Sequence, residues 1–349
     1  MQQRLIHIDV LRAIAILLVT GYHIWVALNG SHEVLPSNAE FSLMGVFVNG
    51  EIGVELFFLV SGYCMSLGAS KNNFKLNFFD YYKKRFLRIA PTYYIAIIFW
   101  NIIIYLGFLV KPNDWYHNLM HIFFIHNLTL ETFHSVSGVF WSLAVEMQFY
   151  FLLPFILPLL RSVKTSIGLF VFVLTMSVFI NINFPFKLMT WSLLSYLVIF
   201  VFGIILGVYK DKFDKMIKWK VVNTFLLIGS FISLCWIGPN SKHNELHQIF
   251  TALVIGYLFF INRRYIDKLG HYKLMKFLAY IGLSSYSLYL YNYMAFALIK
   301  PMEDFLVLNW LVPFVFVLIF GFLTYEFIEL KVTKLLKIKW GKRANCSNP

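Results

Sequence analysis

The stretch Ile8-Asp9-Val10-Leu11-Arg12-Ala13-Ile14-Ala15-Ile16-Leu17-Leu18-Val19-Thr20-Gly21-Tyr22-His23 decides how this chain is built. It is apolar enough to cross a bilayer, yet it carries a carboxylate, a guanidinium and an imidazole. A hydrocarbon core about 30 Å thick takes roughly 20 mostly apolar residues as helix. Extended to Leu28, the run has that length. A basic start before an apolar run also describes a cleaved leader. The charges inside the run and the lack of a small-residue cleavage site favour a retained first helix.

Such runs recur along the chain. Hydrophobic residues make up 59% of the 349 and charged residues 13%, where a soluble domain carries about a quarter charged. The apolar runs predict spans at Ile8–Leu28, Ile52–Gly68, Pro91–Val110, Ser137–Leu160, Thr165–Asn183, Met189–Tyr209, Val221–Gly238, Leu246–Asn262, Phe277–Ile299 and Val307–Ile328. The expected fold is therefore all-α: a polytopic membrane protein of about ten helices. Residues 1–349 read as one transmembrane domain with a short basic tail from about Lys331. Trp115–Thr129 is only moderately apolar and reads as a re-entrant or surface segment. Trp191, Tyr209 and Trp310 near span ends suit interfacial belts.

Charge tests the count. The formal net charge is +13, but the cations do not form one patch. They cluster at Lys71–Arg88, at Arg161 and Lys164, at Lys210–Lys220, at Arg263–Lys276 and from Lys331 onward. Alternating spans put all of these on one side, leaving Lys111, Lys187, Lys242 and Lys300 on the other. The positive-inside rule then makes both termini cytoplasmic. The basic balance is a topology signal and argues against nucleic-acid binding. Three cysteines, Cys64, Cys235 and Cys346, give no disulfide or metal framework.

Ionisable groups inside spans are costly in lipid and mark function. Arg12 and His23 are 11 residues apart, close to three turns, so they share a face about 16 Å apart along the axis. Asp9 lies one turn before Arg12. Glu55 falls near the outer end of the second span. Glu146 lies about 14 Å into the fourth, which predicts that it matches the depth of His23. A His and a carboxylate at one depth suit general-base chemistry. The competing readings are an Arg12 snorkelling to headgroups and a hydrogen-bonded structural His. Arg85 and Arg88, at i and i+3, present two forks that suit phosphate; the alternative is an ordinary positive-inside cluster. His117 and His121 have ligand-like spacing but no acidic or thiolate companion, so no metal is expected. His126 and His134 sit in the same segment, and Glu326 and Glu329 near the inner end of the last span.

In order, these residues resemble the membrane-bound acyltransferase 3 family, which includes O-acetyltransferases of bacterial surface polysaccharides. Its Arg–ten residues–His signature falls on Arg12 and His23. Its second-helix motif falls on Gly53 to Gly62, its Arg-x-x-Arg on Arg85 and Arg88 ahead of Pro91, and its Phe-Trp-Ser-Leu…Glu on Phe140 to Glu146, with Phe149 and Tyr150 following. Ile281 to Leu290 and Phe327-Ile328-Glu329 also fit. The chain departs at Asn292, where relatives often carry His, and at Leu330, where Pro often follows the late Glu. The 349 residues leave no expected room for the hydrolase-like domain that some relatives append.

The resemblance implies transfer of an acyl group, usually acetyl, from acyl-CoA to a hydroxyl of a surface glycan. No bound cofactor is expected: acyl-CoA is a co-substrate, the glycan or its lipid-linked precursor is the acceptor, and the bacterial inner membrane is the location. His23 would be the base, assisted by Glu146, Glu55 and Arg12, and Arg85 with Arg88 would hold the donor phosphates. A transporter or flippase would also place charges in spans; it predicts internal repeats, which are absent from the sequence. A catalytically silent scaffold in polysaccharide assembly is the third reading.

Overall fold

The computed structural model describes residues 5–29, 40–71, 77–184, 186–216, 220–237, 244–294 and 306–336. In chain order the main helices are α1 (Ile6–Asn29), α2 (Ile52–Lys71), α3 (Phe78–Tyr105), α4 (Trp115–Ile122), α5 (Trp141–Ile156), α6 (Val163–Asn183), α7 (Leu193–Val208), α8 (Lys220–Cys235), α9 (Asn244–Ile261), α10 (Arg263–Lys268), α11 (Lys273–Leu283), α12 (Ser285–Leu290) and α13 (Leu306–Thr324). The described sheet is one antiparallel pair of two-residue strands, Glu40–Phe41 and Trp236–Ile237. Helix starts follow sequence: Asn77, Asp114 and Ser162 each accept from the backbone N–H three residues on, satisfying a donor that the helix leaves open.

The all-α membrane architecture stands, and the helix lengths among the described residues do not confirm the count of ten. Six described helices are long and apolar enough to cross a bilayer: Ile6–Leu28, Phe78–Tyr105, Trp141–Leu160, Val163–Asn183, Lys187–Val208 and Trp310–Leu336. The pair Glu245–Ile261 and Arg263–His271, bent by 56°, is either a broken seventh span or a re-entrant loop. At the expected spans Ile52–Gly68 and Val221–Gly238 the apolar helices are shorter, Ile52–Gly68 and Val222–Cys235. The expected ninth span is not one helix. It breaks at Ser284, between α11 and α12, and its end beyond residue 294 lies outside the described residues. So do Cys346 and the tail from residue 337. The sequence count took each apolar run as a full crossing, whereas these runs include short and broken helices. Outward faces are apolar where lipid would lie, as at Ile167, Val171, Phe172 and Phe179 on α6.

Contacts gather into two compact units, Met1–Leu76 with Ser142–Leu283, and Asn77–Trp141 with Ser284–Pro349. In the first, α2 packs against α1, α7 and α9, and α11 packs on α1. Two crossings are closed by glycine. A Cβ on Gly53 would strike the carbonyl of Ala15, and one on Gly62 would strike the carbonyl of Phe200. Small residues at such points let helix backbones meet without side chains between them. Gly50 against the Leu18 carbonyl makes α1 and the chain entering α2 antiparallel, with Ala15, midway along α1, level with the first turn of α2.

In the second unit α3 is kept helical through Pro91. Trp100 donates its indole N–H to the Leu290 carbonyl at 3.0 Å, and Tyr286 donates to the Ile89 carbonyl at 2.8 Å. α13 ends in a π-helical turn, Tyr325–Glu329, before helix resumes to Leu336.

Candidate active site

The α1–α2 crossing sets the levels of the polar groups in the first unit. With the N-terminal end of α1 labelled inner and its C-terminal end outer, Ser61 is eight residues inward from Gly53, about 12 Å, and His23 is eight residues outward from Ala15, about 12 Å. Their levels therefore differ by roughly 24 Å along the helix axes. His7, at the start of α1, confirms the register by meeting the Tyr63 ring edge-on at 5.8 Å.

Glu146 goes with the inner level. Ser61 donates its hydroxyl proton to Oε1 of Glu146, and Tyr150, one turn along α5, donates to the same oxygen at 2.6 Å. The expected match in depth between Glu146 and His23 is thus not found. The reason is an overhang: α1 continues well beyond the first turn of α2, so depths counted from separate span ends are not comparable. Arg12 also belongs to the inner group. One of its guanidinium nitrogens lies 4.0 Å from Sγ of Cys64. Cys64 is one helical turn from Ser61 on the same face of α2.

His23 has a different setting. Its Nδ1 lies 2.9 Å from the Val19 carbonyl. A carbonyl only accepts, so Nδ1 carries the proton and Nε2 carries the lone pair. Beside it stands Tyr22, ring centroids 5.4 Å apart. The Tyr22 hydroxyl bonds the carboxylate of Glu51, which also bonds the Gln248 side chain and faces Lys187. Glu245, held by Trp191, completes this outer group. Glu55 is 1% exposed and, two residues past Gly53, lies about level with Ala13 of α1. Of the expected residues, then, His23 lies toward the C-terminal end of α1, Glu55 near the middle of α1, and the Arg12 guanidinium with Glu146 toward its N-terminal end.

In the second unit Arg85 and Arg88 lie on α3, which also carries Tyr81 beneath the Arg85 guanidinium at 6.0 Å. Arg85 is half-buried and Arg88 exposed. The histidines of the α4 segment form a knot. Nε2 of His121 lies 3.1 Å from the Ser135 carbonyl and 3.0 Å from its hydroxyl, so Nε2 carries the proton. Nδ1 accepts from Tyr93 at 2.9 Å, and the Ser135 hydroxyl donates to Thr132. That wiring leaves Ser135 with no basic nitrogen to activate it, so the knot is a clamp. His126 stacks on His121 with centroids 3.7 Å apart. Burial pushes His126 down to about 3; burial, and then the neighbouring His126, lowers His121 well below its ordinary value. His117 caps onto Asp114 at 2.7 Å, holding the Asp114 carboxyl below its ordinary range. Among the described residues no three His, Cys, Asp or Glu side chains gather to hold a metal ion.

The sequence matches the acyltransferase 3 family, described as an acyltransferase domain, over residues 5–325. The chain belongs to that family. It is 31% identical over 175 residues to the peptidoglycan O-acetyltransferase OatA of Listeria monocytogenes, covering 45% of this chain and 25% of that one. It is also 31% identical over 167 residues to YrhL of Bacillus subtilis, provisionally named a peptidoglycan O-acetyltransferase, covering 43% and 23%. A protein of Acidianus two-tailed virus, provisionally named an acetyltransferase, is 24% identical over 290 residues, 81% of this chain and 80% of its own. The match thus spans about a quarter of the two bacterial relatives' length. No solved structure matches.

Within this acyltransferase domain the late motifs are structural ties. Ser287 donates to Glu329 at 2.6 Å, and Tyr289 donates to the Val139 carbonyl at 2.9 Å. Sequence reasoning missed Ser61, Tyr22, Glu51 and Glu245. Glu51 was legible as the i, i+4 companion of Glu55. Glu245 and Ser61 become visible only when distant segments meet.

Proposed function

We propose that the chain is a multi-pass O-acyltransferase of the bacterial inner membrane, moving an acyl group, most simply acetyl, from acyl-CoA to a hydroxyl of an extracytoplasmic glycan. The observation that carries this reading is the tautomer of His23, whose Nε2 lone pair stands at the outer end of α1 beside the Tyr22–Glu51 pair. The peptidoglycan named for the bacterial relatives supports a glycan acceptor of that kind.

In this reading Nε2 of His23 removes the proton from the acceptor hydroxyl as its oxygen attacks the thioester carbonyl. The C–S bond breaks, an ester forms, and the proton returns to the departing CoA sulfur. The imidazolium formed in between is favoured by the Glu51 carboxylate, which bonds the hydroxyl of the adjacent Tyr22. Arg85 and Arg88 take the donor phosphates by fork-like contacts. Loss of a general base costs about 10²–10⁴ in rate. His23→Ala should therefore abolish transfer of label from acetyl-CoA to surface glycan, normalised to membrane-inserted protein. Wild-type transfer by that variant would dismiss His23 as the base.

A further inference from the structure

Arg12 and Glu146 are half-buried groups of opposite charge inside membrane-spanning helices, and they do not pair. Arg12 lies against the Cys64 thiol, and Glu146 is held by two neutral hydroxyls. Among the described residues neither makes an ion pair. Charges in such positions cost several kcal/mol unless a partner or a pathway uses them. The two are set on adjacent turns of one face of α2: Cys64 beside Arg12 and Ser61 beside Glu146, about 4.5 Å apart along the axis.

Both hydroxyls bond Oε1 of Glu146, which leaves Oε2 outside that pair of bonds. The pair thus offers an acceptor, Oε2, and a donor fork, the Arg12 guanidinium, at neighbouring levels. A secondary amide presents the complement: one N–H and one C=O. The level matters too, because Glu146 sits near the N-terminal end of α1, some 24 Å from His23. It is out of reach of the imidazolium that forms at the acceptor.

We propose that Arg12 and Glu146 bind the pantetheine arm of the donor, Glu146 through an amide N–H and Arg12 through an amide carbonyl, with Ser61 and Tyr150 as positioning residues for Glu146. This rests on the acyl-CoA reading above and on a cytoplasmic N-terminus. It assigns Glu146 to donor binding and leaves His23 to the acceptor.

The test uses the full chain in membranes with three donors: acetyl-CoA, S-acetylpantetheine, and S-acetyl-2-mercaptoethanol, which keeps the thioester and lacks both amides. A hydrogen bond to a charged group is worth about 1.5–3 kcal/mol, or roughly tenfold and upward. Glu146→Gln, an isostere that still accepts both hydroxyls, should raise KM for the first two donors by about tenfold. Its kcat and the pH profile of kcat should hold, and the third donor should show no difference. Ser61→Ala and Tyr150→Phe should move KM in the same direction, and Ser61→Thr should restore it. A fall in kcat with a shifted pH profile and constant KM would overturn the assignment, making Glu146 a support of the base. An equal penalty with all three donors would overturn it also, as the mark of a structural role. Absence of transfer by the wild-type chain from acetyl-CoA would remove the acyl-transfer reading itself, and this one with it, before any variant is compared.

Discussion

Gly53 lies with its Cα against the main-chain carbonyl of Ala15. That contact fixes how far α1 overhangs α2, and so separates the level of His23 from that of Glu146. Any side chain there must push the helices apart. Overpacking a close contact costs about 1–3 kcal/mol. Gly53→Val should lower the thermal stability of the purified chain and cut transfer more than Gly68→Ala, where a Cβ meets open space. Equal stability of the two variants would contradict the register described here.

Arg85 and Arg88 share a face of α3. If they grip phosphates, charge alone will not replace them, because lysine lacks the planar fork. The double variant Arg85→Lys, Arg88→Lys should raise KM for acetyl-CoA by about tenfold or more. It should have little effect with S-acetylpantetheine, which lacks the nucleotide. Wild-type kinetics with acetyl-CoA would reduce the pair to a topology signal.

The stacked pair His121 and His126 predicts an acid-sensitive segment. Both are held below the ordinary histidine value of 6.5, His126 at about 3. Below about pH 6.5 the unfolded chain takes up protons that the folded one refuses, so stability is full above that pH and falls as pH drops toward 3. The slope is about 1.4 kcal/mol per pH unit for each proton. Protease cleavage within residues 112–140 should rise between pH 7.5 and 5, and His126→Phe should flatten the rise. A cleavage rate independent of pH would refute the idea.

Topology can be read directly. Reporter fusions after Lys220 and after Asn240 flank α8, and the alternation of basic loops expects opposite sides for them. The same side for both would mean that this short helix, Val222–Cys235 in its apolar part, does not cross.

Much of the architecture was legible because it rests on local signals: apolar runs for helices, Asn77 and Ser162 for helix starts, the Arg–ten residues–His pattern for the family. The break at Ser284 was not, because Gly282, Ser284 and Ser285 are small residues that unbroken membrane helices also carry. Within the site, the residue types were legible and their pairing was not. Depth counted from the ends of separate runs assumes that every helix begins at the same surface. The glycine contact at Gly53 shows that α2 begins against the middle of α1. Ser61 and Tyr150 stood in motifs of the resemblance, but their common partner appeared only when α2 and α5 were brought together around Glu146.

The π-helical turn at Tyr325–Glu329 has a consequence for comparing genes. Such a turn holds one residue more than a regular one, which rotates everything after it by about 100° around the axis. Relatives with a regular helix here would need a one-residue gap inside a span, where alignments ordinarily forbid one. Without that gap, such a relative's alignment would match Leu330 and Lys331 to positions on the wrong side of the helix.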